Sequence, residues 1–193
     1  MDNNLALFMI AKSYSNRLAS KNLVKYNGVP LYLYVLKKMI TLDLPIYFDS
    51  DSSEMCEAAS RESSLITTHI RDSSLLDTST PSVPIFQSIY SHFKLEKQST
   101  CILNVQANSP NISLNTLQKA ASIMRYTETS ELLSIYSHDR SNNGSLWGFS
   151  SYRLQNYGDP YTHLPDTFII DDSIDIHTQE DFDLSLKQSY EQS

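Results

Sequence analysis

Glycine is scarce in this chain, with four among 193 residues. That scarcity excludes the glycine-rich phosphate cradles, and neither G-x-G-x-x-G nor G-x-x-x-x-G-K-[ST] occurs. Cysteine is scarcer still. Cys56 and Cys101 stand far apart and form no C-x-x-C or Cys/His cluster, which excludes a structural zinc site. Two buried thiols in a reducing compartment, the cytoplasm, are the expectation. The five histidines show no H-E-x-x-H spacing, and no G-x-S-x-G elbow is present. No apolar run reaches membrane length. The run "LALFMI" near the start lacks a basic segment before it, so neither a signal segment nor a membrane span is expected. The net charge of −7 speaks against a nucleic-acid partner, because neutralising phosphates needs a basic face.

What is present is unevenly placed. From Asn3 to Leu42 there is no acid, but there are Lys12, Arg17, Lys21, Lys25, Lys37 and Lys38. From Leu154 to Leu186 there is no Lys or Arg, but there are eight acids. One end suits an anion and the other a cation, or the two faces complement each other and solvent.

The length suits one domain over residues 1–193 with a full core. The apolar run 5–10 reads as a buried parallel strand, and 30–42 as a helix with Pro30 near its start. Strands follow at 45–51, 64–70, 100–106, 131–137, 145–150 and 167–170. Helices are expected at 52–60, at 84–96, from Ser113 to about Arg125, and after Thr178, with 72–84 a loop. Strand and helix alternate with short linkers. The pattern implies an α/β domain with a mostly parallel central sheet and helices on both faces. Such sheets bind ligands beyond the carboxyl ends of their strands. Three segments that directly follow strands should therefore share one edge: "AKSYSNRLASKN", Arg71, and "QANSPN". The first holds three cations and no glycine, so Tyr14 and Leu18 need somewhere to pack.

Three segments together resemble the CMP-sugar synthetases, with the Kdo cytidylyltransferases as relatives. They are "KSYSNRLASKNLVKYNGVPL" after the first strand, "NVQANSPN" at the end of the fourth, and "SIDIHTQED" near the end. The resemblance runs from Leu5 to about Lys187 and implies a Rossmann-like nucleotidyltransferase fold. It implies that CMP passes from CTP to an acidic 2-keto sugar of the sialic-acid or other nonulosonic type, with release of pyrophosphate. Its implied nucleotide contacts are Ala11, Lys12, Arg17, Lys21, Asn22 and Arg71. Gln106 and Ser109 would meet the acceptor. Lys21 and Asp175 would be catalytic, and Asp175 and His177 would hold a divalent metal. Mg²⁺ is what the resemblance implies. His177 stands where the family has Asp, and imidazole suits Mn²⁺ better. Asn108 and Lys12 also depart from the family pattern, and the long excursion after the fifth strand, which builds a dimer arm there, is a few residues here. A homodimer remains an implied partner state. A catalytically weakened relative that binds nucleotide or a protein partner is the alternative these departures favour.

Overall fold

The structure, a computed structural model, describes residues 4–15, 17–77, 80–95, 101–156 and 165–191. Nine strands occur among them: β1 (Leu5–Ala11), β2 (Lys25–Tyr26), β3 (Val29–Pro30), β4 (Ile46–Ser50), β5 (Ile66–Ile70), β6 (Cys101–Val105), β7 (Glu131–Ile135), β8 (Asn142–Ser150) and β9 (Thr167–Ile170). The helices are α1 (Leu31–Ile40), α2 (Ser53–Ser60), α3 (Ser82–His92), α4 (Leu114–Tyr126), α5 (Ser151–Asn156) and α6 (Gln179–Glu191). Seven strands form one sheet in the order β5-β4-β1-β6-β8-β7-β9. Only β8 runs antiparallel to its neighbours.

Alternation along β1 explains the layers. Leu5, Leu7, Met9 and Ala11 join one core cluster, while Ala6 and Phe8 join another. A strand apolar on both faces has to be covered on both. Residues of α1, α2 and α4 cover the first face, and residues of α3 and α5 the second. Each fully buried Leu or Phe contributes about 1.5–3 kcal/mol. The chain passes from β1 to β4 and β5 on one side, then crosses to β6 on the other, so the crevice of the sheet opens between β1 and β6.

The expected α/β architecture is the one observed, with local differences. A hairpin, β2–β3, occupies part of the stretch read as polar loop. Asn27 and Gly28 take φ of 49° and 85°, the left-handed pair that a two-residue hairpin turn requires. Helix α3 starts at Ser82, before the expected 84, because Pro84 in its first turn lacks an N–H that the turn does not use. Strand β8 runs back to Asn142, through Gly144 at φ 73°, where "NNG" reads as a turn. Helix α5 follows β8 directly, and its cap, Ser150, whose Oγ accepts from the Arg153 N–H at 3.1 Å, is also the last residue of that strand. The expected loop positions 78 and 79, the helix end at Glu96 and the strand start at Thr100 lie outside the described residues.

A third, smaller cluster sits at the edge of the crevice. Tyr26, Leu31, Ile176 and Phe182 are its buried members, and Leu18 packs against it. The Tyr26 hydroxyl donates to the Ser185 carbonyl at 2.9 Å. Helix α6 is thereby docked on the hairpin. Its start is a reciprocal cap: Thr178 Oγ1 accepts from Asp181 N–H at 3.2 Å, and Asp181 Oδ2 accepts from Thr178 N–H at 2.8 Å. This docking holds residues 171–177, which have no regular structure, beside the loop after β1 and the turn after β6.

Candidate functional site

A cleft of about 360 Å³ opens at the β1/β6 switch point. Ile10, Lys12, Tyr14, Ser15, Arg17, Lys21, Asn22, Gln106, Ala107 and Asn108 line it. The volume falls within the usual range for small-ligand sites. The loop after β1 thus forms one wall, and the turn after β6 forms the other.

The loop is shaped by side chains, not by glycine. At its entry, the Ser13 N–H donates to Asp51 Oδ1 at 2.6 Å and the Ser13 hydroxyl to Asp51 Oδ2 at 3.0 Å. At its far end, Asn22 Nδ2 donates to the Lys12 carbonyl at 2.8 Å and draws the two ends together. Asn22 Oδ1 is left buried, without a partner among the described residues. Ser20 sits at φ 49° and leads into a 3₁₀ turn over Lys21–Leu23. Leu18 finds the third cluster, as the sequence requires. Tyr14 does not pack away and is 63% exposed.

The cations of the loop differ. Arg17 is exposed. Lys12 Nζ reaches the Asp77 carbonyl at 3.4 Å. Burial, and then the Arg71 guanidinium, pull the Lys12 ammonium below its usual range, with Asp51 and Asp77 opposing. Lys21 Nζ crosses to the other wall and donates to the Ile176 carbonyl at 2.7 Å. Burial pushes its pKa down to about 8, against the attraction of Asp175.

The second wall is tied to residues 175–177. Asn108 Nδ2 donates to Asp175 Oδ1 and, at 3.0 Å, to the Ile176 carbonyl. Ile176 N–H donates to the Asn108 carbonyl at 2.9 Å. Asp175 Oδ2 lies 2.7 Å from His177 Nε2. Gly144 comes close enough that an added Cβ would stand 3.5 Å from Asp175 Oδ2. Asp175 and His177 are thus paired with each other beside the cleft. Among the described residues no group of three His, Cys, Asp or Glu side chains converges to hold a metal ion. The protein offers two metal donors here, Asp175 and His177. A Mg²⁺ shell of six oxygens would need most of its ligands from a bound phosphate or water.

Of the remaining expected site residues, Gln106 lines the cleft and Ala11 ends β1, buried, at its edge. Ser109 is fully buried, and it is absent from the cleft lining. Arg71 is buried rather than a surface residue paired with Asp72 or Asp77. Its Nε donates to Asp49 Oδ1 at 2.6 Å, its Nη2 contacts the same oxygen, and Nη1 has no partner among the described residues. Asp49 Oδ2 lies 2.8 Å from His69 Nδ1. The roles of Asp51, Tyr14 and Asp49 escape the sequence reading. The only signal is the acids closing "PIYFDSD", which suggest a strand end without naming their partners.

A family model described as "Cytidylyltransferase" matches residues 7–143. No curated protein sequence matches the chain. Among solved structures, CMP:2-keto-3-deoxy-manno-octonic acid synthetase complexed with CTP is similar at a TM-score of 0.71 and 10% identity, covering 98% of this chain and 100% of that one. Rv0371c of Mycobacterium tuberculosis in complex with manganese gives 0.65 and 12%, over 96% and 98%. The 4-diphosphocytidyl-2C-methyl-D-erythritol synthase of Anaerococcus prevotii gives 0.63 and 11%, over 99% of each chain. At these identities the likeness is one of fold.

Proposed function

The chain belongs to the cytidylyltransferase family, and from that membership we propose that it transfers CMP from CTP to an acidic 2-keto sugar, releasing pyrophosphate. One observation carries this reading: Lys21, on the cationic loop that lines the switch-point cleft, donates to the Ile176 carbonyl and so meets the segment that holds Asp175 and His177 beside that cleft. The CTP bound by the similar synthetase supports the nucleotide half. The sialic-acid or other nonulosonic class of acceptor rests on the sequence motifs.

The acceptor hydroxyl gives up its proton to solvent and its oxygen bonds to the α-phosphorus, while the bond from the α-phosphorus to the bridging oxygen breaks and that oxygen leaves with pyrophosphate. Charge builds on the leaving pyrophosphate, so catalysis here calls for fixed cations more than for a nucleophile. Lys12, Arg17 and Lys21 supply them, with Ala11, Asn22 and Arg71 completing the nucleotide contacts. Asn22 Oδ1, on a residue that lines the cleft, has no partner among the described residues and suits a ligand group, whereas Arg71 is buried behind the lining and would act there through its charge. Gln106, which lines the cleft, faces the acceptor side of this reading, whereas Ser109, buried outside the lining, would act only by holding the turn that carries Gln106. A divalent metal would be held by phosphate oxygens with Asp175 and His177, Mg²⁺ or, given the imidazole, Mn²⁺. It would supply neutralising charge at the phosphates. A homodimer would form without the family's arm, since Ser137–Ser141 is one tight turn closed by the Tyr136 N–H to Ser141 carbonyl bond of 2.9 Å. Among the described residues no helix is long and apolar enough to cross a membrane. The cytoplasm is proposed from the cysteine usage, two thiols far apart in sequence.

A second reading is favoured by one observation: both oxygens of Asp175 already have partners, Asn108 and His177. It is CTP binding without turnover. The full chain incubated with CTP, Mg²⁺ or Mn²⁺ and a panel of acidic 2-keto sugars separates the two. Pyrophosphate with a CMP-sugar of the expected mass supports the transferase. Tight CTP binding without pyrophosphate supports the second reading, and no CTP binding by folded protein overturns both.

The Lys21 pKa of about 8 gives this site a pH signature. Below pH 8 the ammonium is charged before the nucleotide arrives. Above it, binding the anion must first recruit a proton, so CTP affinity falls as pH rises. The expected loss approaches tenfold per pH unit above 8. Calorimetric titration of CTP from pH 6.5 to 9.5 measures it. A Lys21→Arg variant, charged throughout, should lack that inflection.

A further inference from the structure

Tyr14 is the residue of the cleft that neither the family motifs nor the charge argument explains. It lines the cleft, yet 63% of its surface stays open. Large aromatic rings gain most from burial, so an open one on a cleft wall has apolar area left for a ligand. The chain just before the ring is anchored. The preceding residue, Ser13, is held through both its N–H and its hydroxyl by Asp51.

The lining of the cleft is also divided. Lys12, Arg17 and Lys21 are cationic, whereas Ile10, Ala107 and the ring of Tyr14 are apolar. A ligand matching both parts carries several negative charges and a flat, weakly polar group. Inorganic triphosphate meets only the first requirement, and a nucleoside triphosphate meets both.

We propose that Tyr14 is a stacking platform for the nucleobase of the bound nucleotide, held at the cleft by the Asp51–Ser13 clamp. This rests on the cytidylyltransferase reading and adds to it a contact that the motifs do not supply. Base–aromatic stacking is tolerant of base identity, so Tyr14 contributes affinity, and the choice of cytosine lies with other groups.

The test is calorimetric titration of wild type, Tyr14→Phe and Tyr14→Ala with CTP, CMP and inorganic tripolyphosphate. Tyr14→Ala is expected to weaken CTP and CMP by five- to a hundredfold, while tripolyphosphate binding stays within twofold. Tyr14→Phe keeps the ring and should bind all three as wild type does. Two outcomes overturn the proposal while leaving the cytidylyltransferase reading intact. In one, Tyr14→Ala binds CTP as tightly as wild type. In the other, it loses CTP and tripolyphosphate alike, which would mean that the ring only shapes the loop. If folded wild type binds tripolyphosphate but not CTP, the functional reading itself fails, and this inference fails with it.

Discussion

Replacing Lys21 by alanine should lower kcat/KM for CTP by two to three orders of magnitude and leave the fold intact. The ammonium is partly desolvated, which is why burial holds its pKa near 8. A charge in that setting acts on a developing phosphate charge more strongly than one in water. Losing one fixed donor to transition-state charge costs about 2.7–4 kcal/mol, or 10²–10³ in rate. The structural cost is small by comparison. Ile176 loses one hydrogen bond at its carbonyl, but Asn108 Nδ2 still donates there at 3.0 Å. Steady-state release of pyrophosphate, alongside a thermal melt, separates the two effects. A rate loss below tenfold with an unchanged melt would remove Lys21 from the catalytic role.

The largest expected stability effect lies behind the site. Asp49 is fully buried in β4, Arg71 is nearly so beyond β5, and the pair is completed by His69. Asp49→Ala leaves a buried guanidinium without its counter-charge. Breaking such a pair from one side costs about 3–5 kcal/mol. A domain holds only about 5–15 kcal/mol in total. At about 2–4 °C per kcal/mol for this size, the melting temperature should fall by about 6–20 °C. The double variant Asp49→Ala, Arg71→Met removes the stranded charge and should recover much of the loss. Circular dichroism melts of both variants measure it. Equal destabilisation of single and double variants would show that packing, not charge, is what the pair provides.

These two residues also mark where sequence reading succeeds and stops. Lys21 was legible because a cation-rich loop after a continuous apolar strand points at the strand's carboxyl end, whatever the rest of the chain does. Asp49 was not. Its meaning depends on parallel register, which sets Asp49 opposite His69 and leaves Arg71 two residues further along the same face. No single strand carries that information. The order of the longer helices and strands was readable from periodicity, caps and turn residues, but the short β2–β3 hairpin was not. Nor were α5 and the first residues of β8, because a six-residue helix has too little period and "NNG" has turn chemistry even inside a strand. Tyr14 gave the opposite lesson. The sequence says that a ring in a glycine-free loop should pack, yet Tyr14 stays exposed on a chain anchored at Ser13.

The docking of α6 has a consequence for how the protein opens. All seven sheet strands contribute to the two large clusters, whereas residues 171–177 owe their place to the small third cluster and a handful of hydrogen bonds. Local stability follows buried contacts, so this part should fluctuate open at a lower free energy than the sheet. The family model, moreover, ends at Asn143. The cationic loop and the segment that carries Asp175 and His177 therefore differ in resilience. Mild denaturant should separate Asp175 and His177 from the cationic loop well before the sheet melts, extinguishing assembly of the site in a protein that still looks folded.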